Sequence, residues 1–176
     1  MQLIEDFIST SESLAFIEAY RNKVDGSDNY AGSARLNQKT CMWIGGDSWD
    51  YANHSITDWV RKFYDRIADQ VEHGELYEPQ WIVEYEKGVG LPLHIDEADN
   101  EGASVRTAIL NLNVGISDYV CERQFVDVPA MSLLVADTSS QHGYAGELLE
   151  SNMTNRYAIL FRMDSFESEA LDAAGL

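Results

Sequence analysis

The sequence is poor in cysteine, in basic residues and in long apolar runs. It contains two cysteines, Cys41 and Cys121, and they form no CxxC pattern. This argues against a disulfide framework or a cysteine-based zinc site and favours two reduced thiols. The longest apolar runs, such as residues 131–136, are far too short to cross a bilayer. Because the N-terminus also lacks the basic and apolar segments of a signal peptide, we expect a cytoplasmic protein without a membrane partner.

The shortage of basic residues gives the chain an extreme charge. Twelve lysines and arginines stand against 30 aspartates and glutamates, for a net charge of −18. A field of this sign repels phosphate backbones, which disfavours nucleic acid as a partner. It keeps the protein soluble and suits a basic or neutral substrate.

The length of 176 residues predicts a single domain, 1–176, with three parts. Residues 1–78 contain two helical patterns and the leading strands. One helix is predicted from Ser9, which has capping-box spacing to Glu12, as far as Val24. The other runs over about residues 56–73. Residues 164–176 form an acidic tail.

Residues 79–163 have the character of short strands separated by turns, and one further strand is predicted before them, at residues 40–44. This order predicts a mainly β fold with N-terminal α structure, a sandwich or jelly roll buttressed by the N-terminal helices. The predicted strands of this part cover residues 80–86, 91–96, 105–114, 119–126, 131–137 and 154–163.

A histidine and a carboxylate lie two residues apart in the predicted strand 91–96. Side chains at positions i and i+2 leave a strand on the same face, so His94 and Asp96 can reach one point. A second imidazole would complete the facial triad that holds non-haem Fe(II). His142 is the candidate because it begins a late strand, 48 residues after His94. His54 and His73 flank helix ends and are interpreted as structural or exposed.

The last predicted strand carries two arginines on one face. Arg156 and Arg162 alternate with the residues expected to face the core, and a guanidinium pairs bidentately with carboxylates. An arginine 14 residues after His142 could therefore anchor the far end of a dicarboxylate. On the strand 105–114, Asn111 and Asn113 share a face, and that face either lines a cavity or is solvated.

The order His94-x-Asp96, His142, Arg156 resembles the Fe(II)/2-oxoglutarate-dependent dioxygenase superfamily, in its prolyl-hydroxylase-like or AlkB-like branches. The resemblance covers about residues 81–163 and implies a double-stranded β-helix, the jelly-roll form of that superfamily. It implies that His94, Asp96 and His142 bind iron and that Arg156 binds the distal carboxylate of 2-oxoglutarate. The implied activity is hydroxylation of a peptide side chain or small molecule, with release of succinate and CO2 and with ascorbate as reductant.

Two further residues enter through the resemblance. The run from Tyr85 to Asp96 is similar to the approach to the metal in both branches, which implies that Tyr85 hydrogen-bonds the cosubstrate. The Arg-x5-Arg ending resembles the AlkB-type demethylases and implies that Arg162 also contacts the cosubstrate. The sequence departs from the pattern at Ala158, where many members have a serine or threonine. Either another donor replaces that hydroxyl or the carboxylate is held differently.

Two alternatives stay open. A non-catalytic, cupin-like jelly-roll module would bind another metal or none. An AlkB-like nucleic-acid demethylase would share the metal ligands, but the acidic charge and the short N-terminal region disfavour it.

Overall fold

A computed structural model describes residues 1–25, 33–36, 39–44, 55–71, 80–88, 90–96, 105–144 and 154–163. Within these ranges the chain forms two helices and eleven strands. The helices are α1 (Thr10–Asp25) and α2 (Ser55–Gln70). The strands are β1 (Gln2–Ile4), β2 (Ser33–Leu36), β3 (Lys39–Ile44), β4 (Gln80–Tyr85), β5 (Leu91–His94), β6 (Arg106–Asn111), β7 (Ile116–Cys121), β8 (Gln124–Val128), β9 (Ser132–Asp137), β10 (His142–Tyr144) and β11 (Arg156–Met163).

The strands form two antiparallel sheets. The larger sheet has the order β1-β9-β6-β11-β4-β3-β2, and the smaller has the order β5-β10-β7-β8. From β4 to β11 the chain crosses repeatedly between the sheets, and only the β7–β8 hairpin stays within one of them. This alternation is the jelly-roll form that the sequence predicts. The mainly β fold class with N-terminal helices is therefore confirmed.

The two helices cover the outer face of the larger sheet. Strand alternation on β11 directs Tyr157, Ile159 and Phe161 into the same buried cluster as Phe16 of α1 and Phe63 of α2. The opposite face of the sheet turns toward the smaller sheet, where a second core forms. The helices therefore stabilise the sheet from outside and leave its inner face to line a cavity.

The predicted capping box begins α1. The backbone N–H of Ser9 donates to the Glu12 carboxylate at 2.9 Å, and the N–H of Glu12 donates back to Ser9 Oγ at 3.2 Å. The same carboxylate accepts from Arg66 at 2.7 Å and from Lys62 at 2.8 Å, both on α2. One glutamate therefore caps one helix and ties it to the other.

The structure corrects the prediction of a single strand over residues 119–126. Two strands, β7 and β8, occupy this region, joined at Glu122 and Arg123, whose φ angles are 50° and 62°. Two-residue hairpin turns of this left-handed kind usually contain Asn-Gly or Asp-Gly, and neither is present here. The strands β1 and β2 were not predicted either.

Other predictions meet the structure only in part. The second helix ends at Gln70 rather than at residue 73. Cys121 is a buried free thiol, in line with the expectation of reduced cysteines. His54, His73 and the tail 164–176 lie outside the described residues. In the described part of the chain, neither helix has the length and apolar character needed to span a membrane.

Candidate metal centre

The two candidate histidines lie directly opposite each other on neighbouring strands. In the antiparallel pairing of β5 with β10, His142 is the register partner of His94, and the centroids of the two rings are 4.1 Å apart. The strands come this close because residue 143 is a glycine. A Cβ built on Gly143 would lie 2.6 Å from the carbonyl oxygen of Leu91, and its φ of 148° is one that other residues rarely adopt.

Asp96 joins the two imidazoles from the residue just beyond β5. Its backbone N–H donates to the carbonyl of Thr138 at 2.9 Å, which fixes the chain where it leaves the strand. Its carboxylate oxygens lie 3.5 Å from His94 Nε2 and 3.7 Å from His142 Nε2. One ligand atom from each of the three residues falls within a 4.8 Å cluster. The structure therefore brings together the three residues that the sequence predicts to be metal ligands.

Backbone carbonyls fix the orientation of both imidazole rings. His94 Nδ1 lies 2.8 Å from the carbonyl of Pro92, and His142 Nδ1 lies 3.1 Å from that of Ser140. A carbonyl only accepts, so each Nδ1 carries the proton and each Nε2 offers its lone pair. Burial lowers the pKa of His142, which favours the neutral ring that a metal requires.

The donor set fits a divalent iron ion. Two neutral imidazoles and one carboxylate on one side of an ion leave coordination positions free on the other side. Bonds of about 2 Å place neighbouring ligand atoms about 3–4 Å apart, and the two measured separations to Asp96 lie in that range. The hydrogen-bonded Nδ1 atoms supply the outer support that metal-bound histidines usually have.

A cavity of about 270 Å³ extends from these ligands between the two sheets. Arg156, which is only 5% exposed, lines the same cavity. Its Nε donates to Asn111 Oδ1 at 3.1 Å, and its Nη1 donates to the Tyr144 hydroxyl at 2.8 Å. The guanidinium carbon also lies 4.7 Å from the ring centre of Tyr85 and 5.1 Å from that of Tyr144.

Within the described residues, the contacts of the buried Arg156 are all with neutral groups. Among the described residues, no carboxylate forms an ion pair with it; its contacts are an amide oxygen, a phenol and two aromatic rings. An unpaired buried charge is costly, and a bound anion would remove that cost. The cavity therefore has three side chains able to bind a metal ion and, elsewhere in its wall, a cation able to bind an anion.

Two asparagines hold Arg156 in this position. Asn111 is fully buried, and its Nδ2 donates to the carbonyls of Val114 and Pro129 while its Oδ1 accepts from the arginine. Asn113 brackets the start of β11, since its Oδ1 accepts from the N–H of Tyr157 and its Nδ2 donates to the carbonyl of Asn155. Of the two interpretations of this face, the cavity-side one holds for Asn111.

The remaining predicted residues also lie in the cavity wall. Tyr85 is 3% exposed and is the register partner of Arg156 in the β4–β11 pairing. Arg162 pairs with Thr107 toward the other end of β11 and also lines the cavity. Sequence reasoning missed Tyr144 and Tyr119. Tyr144 lies two residues after His142, so strand alternation could have placed it beside the metal ligand, but nothing in the sequence pairs Tyr119 with the cavity.

The fold is the double-stranded β-helix form of the jelly roll, and solved structures with 12–18% sequence identity share it. It is similar to a Trichoplax adhaerens prolyl hydroxylase solved with a peptide fragment of the hypoxia inducible factor oxygen degradation domain, with a TM-score of 0.59 and 18% identity over 97% of this chain and 86% of that one. A Pseudomonas putida prolyl-4-hydroxylase gives a TM-score of 0.57 at 14% identity, covering 93% and 91% of the two chains.

HygX from Streptomyces hygroscopicus, solved with nickel, 2-oxoglutarate and hygromycin B bound, gives a TM-score of 0.58 at 12% identity, covering 94% of this chain and 82% of that one. No protein-family model matches the sequence, and neither does any curated protein.

Proposed function

We propose that this protein is an Fe(II)- and 2-oxoglutarate-dependent oxygenase that hydroxylates a small molecule or a peptide side chain and releases succinate and CO2. The observation that carries the proposal is the presence in one cavity of the His94, Asp96 and His142 cluster and of the buried Arg156, which has no ion-pair partner among the described residues. A metal site alone would fit many functions. A metal site that shares its cavity with a buried cation fits a cosubstrate that chelates with one end and carries a carboxylate at the other.

The residues predicted to bind the cosubstrate then have defined tasks. Arg156 binds the distal carboxylate of 2-oxoglutarate, and the Tyr85 ring packs against that guanidinium. We assign Arg162 to the metal-proximal end of the cosubstrate, because its register partner Thr107 contacts Thr138, whose carbonyl holds Asp96. The buried residues around Arg156 exclude water from that end of the cavity. Iron, when bound, supplies the activation of O2 and the oxidation of the C–H bond.

The substrate class is inferred from the similar structures and from the net charge rather than from the cavity. The similar structures include one solved with a peptide and one solved with hygromycin B. The net charge of −18 attracts cations, so a basic or neutral substrate is expected.

Succinate formation tests the proposal. Purified protein with Fe(II), ascorbate and 2-oxoglutarate should produce succinate, slowly alone and faster with a true substrate. His94→Ala should lower the rate by at least about 100-fold, since losing even an outer-shell partner of a metal ligand costs 10–100-fold. His73→Ala is the matched control, because it removes an imidazole that the sequence assigns to a helix end. A full rate in His94→Ala would overturn the proposal.

Spectroscopy separates the oxygenase from a cupin-like binding module. Adding 2-oxoglutarate to the anaerobic Fe(II) protein should produce the weak visible charge-transfer band of a chelated 2-oxo acid. A binding module would give no band and would retain zinc or nickel, or no metal, on elemental analysis.

A further inference from the structure

The hydroxyl of Tyr119 has no hydrogen-bond partner in the described part of the chain, although it is buried. Tyr119 lies on β7, is 2% exposed and lines the same cavity as Arg156. Its ring packs against that of Tyr144, 6.3 Å between centroids, and Tyr144 in turn accepts a hydrogen bond from Arg156. An unsatisfied buried hydroxyl is destabilising, so its presence beside a cation in a cavity points to a ligand.

The two aliphatic hydroxyls among the described residues of the cavity wall, those of Thr107 and Thr138, are already used. Thr138 Oγ1 donates to the carbonyl of Val105 at 3.2 Å and lies 2.9 Å from Thr107 Oγ1. Because the carbonyl takes the proton of Thr138, the proton of Thr107 goes to Thr138 Oγ1. Neither threonine keeps a donor for a ligand, whereas Tyr119 does. Burial also raises the pKa of Tyr119, so its hydroxyl stays protonated.

The side chain two residues after Arg156 cannot serve instead. Ala158 is fully buried on β11 and offers only a methyl group where the resembled oxygenases often have a hydroxyl. Asn111 is the register partner of Ala158, and its amide is already used. Its Oδ1 accepts from Arg156 and its Nδ2 donates to backbone carbonyls. Among the described residues, the Nη2 group of Arg156 makes no hydrogen bond, so a carboxylate can bind there.

We propose that Tyr119 is a second anchor of the distal carboxylate of 2-oxoglutarate, donating its phenolic O–H to one oxygen while Arg156 binds the other. This inference rests on the proposed function and names the residue that replaces the missing hydroxyl at Ala158. It makes Tyr119 a determinant of selectivity for a dicarboxylate over a 2-oxo acid that has only one carboxylate.

Equilibrium binding to the Mn(II)-loaded protein, followed by calorimetry without turnover, tests this assignment. Tyr119→Phe removes one oxygen and keeps the ring, and it should weaken 2-oxoglutarate binding about 10-fold, the effect of one hydrogen bond to a charged group. The comparison ligand is 2-oxopentanoate, which has a methyl group in place of the distal carboxylate. The affinity for 2-oxopentanoate should be lower than that for 2-oxoglutarate, and it should be the same in Tyr119→Phe and in the unmodified protein.

Tyr20→Phe is the matched control, because it removes a buried phenolic oxygen from the helix-covered core rather than from the cavity. It should leave both affinities unchanged. Equal 2-oxoglutarate affinity in Tyr119→Phe and the unmodified protein would overturn this inference and leave the proposed function intact. An equal loss of affinity for 2-oxoglutarate and 2-oxopentanoate would also overturn it, since that result would mean that Tyr119 supports the cavity without contacting the distal carboxylate. Absence of 2-oxoglutarate binding in the unmodified protein would overturn both proposals.

Discussion

Gly143 allows β10 to lie close to β5, because its backbone lies against the carbonyl oxygens of β5. The nearest, those of Leu91 and Pro92, would be 2.6 and 2.8 Å from an added Cβ. Real Cβ atoms do not approach backbone oxygens so closely, so any side chain here would push β10 away from β5. The separation of the two imidazoles therefore depends on a residue that binds nothing itself.

We expect Gly143→Ala to weaken divalent metal binding by at least about 10-fold, the scale of lost support for metal ligands. The clash and the unfavourable φ should also lower the free energy of unfolding by about 1–3 kcal/mol. Calorimetric titration with Mn(II) and urea unfolding measure the two effects.

Gly115→Ala is the control for this prediction, since the nearest atom to its Cβ would be at an ordinary 3.7 Å. It should change neither quantity by more than about 0.5 kcal/mol. Unaltered Mn(II) affinity in Gly143→Ala would contradict the role assigned to the close approach of the strands.

The clustering of the three candidate metal ligands and of Arg156 around one cavity could be predicted from the sequence, whereas their supporting residues could not. Two-residue spacing in an extended segment puts His94 and Asp96 on one face, and the resemblance supplies His142 and Arg156. Asn111 and Tyr119 act through strands that are distant in sequence, so their roles depend on which strand lies opposite. Strand alternation alone left Asn111 with two interpretations, because it does not say which face of β6 is buried.

At the scale of secondary-structure elements, Glu12 links the two helices. Its carboxylate accepts hydrogen bonds from Ser9, Arg66 and Lys62, and the Arg66 guanidinium is the main cause that holds the pKa of Glu12 well below its ordinary value. A depressed pKa means that the folded state favours the charged form. The stabilisation is therefore present above the ordinary pKa of 4.5 and is lost as the pH falls below it.

Glu12→Gln should lower the free energy of unfolding at pH 7 by about 1 kcal/mol, a value kept small because the pair is partly exposed to solvent. The difference between variant and unmodified protein should shrink as the pH falls below about 4. Urea unfolding across this range measures it. Glu18→Gln, an exposed position on the same helix, is the control and should have little effect; a Glu12→Gln effect that persists undiminished at low pH would contradict the ionic explanation.

The helices were easier to predict than the strands. A helix is specified by local spacing and by a cap such as Ser9 with Glu12, and both are visible in the sequence. The β7–β8 turn was missed because Glu122 and Arg123 adopt left-handed backbone angles without the usual glycine. The strand β1 is short and becomes a strand only by pairing with β9.

For the molecule as a whole, the large excess of acidic residues limits the classes of partner. A protein that binds nucleic acid without sequence preference gains its affinity from lysine and arginine contacts to phosphates. Here 12 basic residues stand against 30 acidic ones, and Arg66 and Lys62 are already paired with Glu12. The long-range field therefore opposes the approach of a polyanion.

We expect no measurable binding of a 20-nucleotide single-stranded DNA or RNA at 50 mM salt, even at the roughly 100 μM at which weak non-specific binders associate. Fluorescence anisotropy of a labelled strand measures this. Salt-dependent binding tighter than that limit would contradict the expectation and favour the AlkB-like demethylase alternative.

Because His142 is the register partner of His94, metal binding at these residues would be coupled to the pairing of β5 with β10. In the described part of the chain, β5 is one of the two edge strands of the smaller sheet and has only β10 as a hydrogen-bonded neighbour. Edge strands are the first to fray. An ion coordinated by residues of both β5 and β10 would cross-link two segments whose histidines are 48 residues apart. Local unfolding of β5 and dissociation of the ion would then be a single event, so the residence time of the ion would be set by the rate at which β5 unfolds locally.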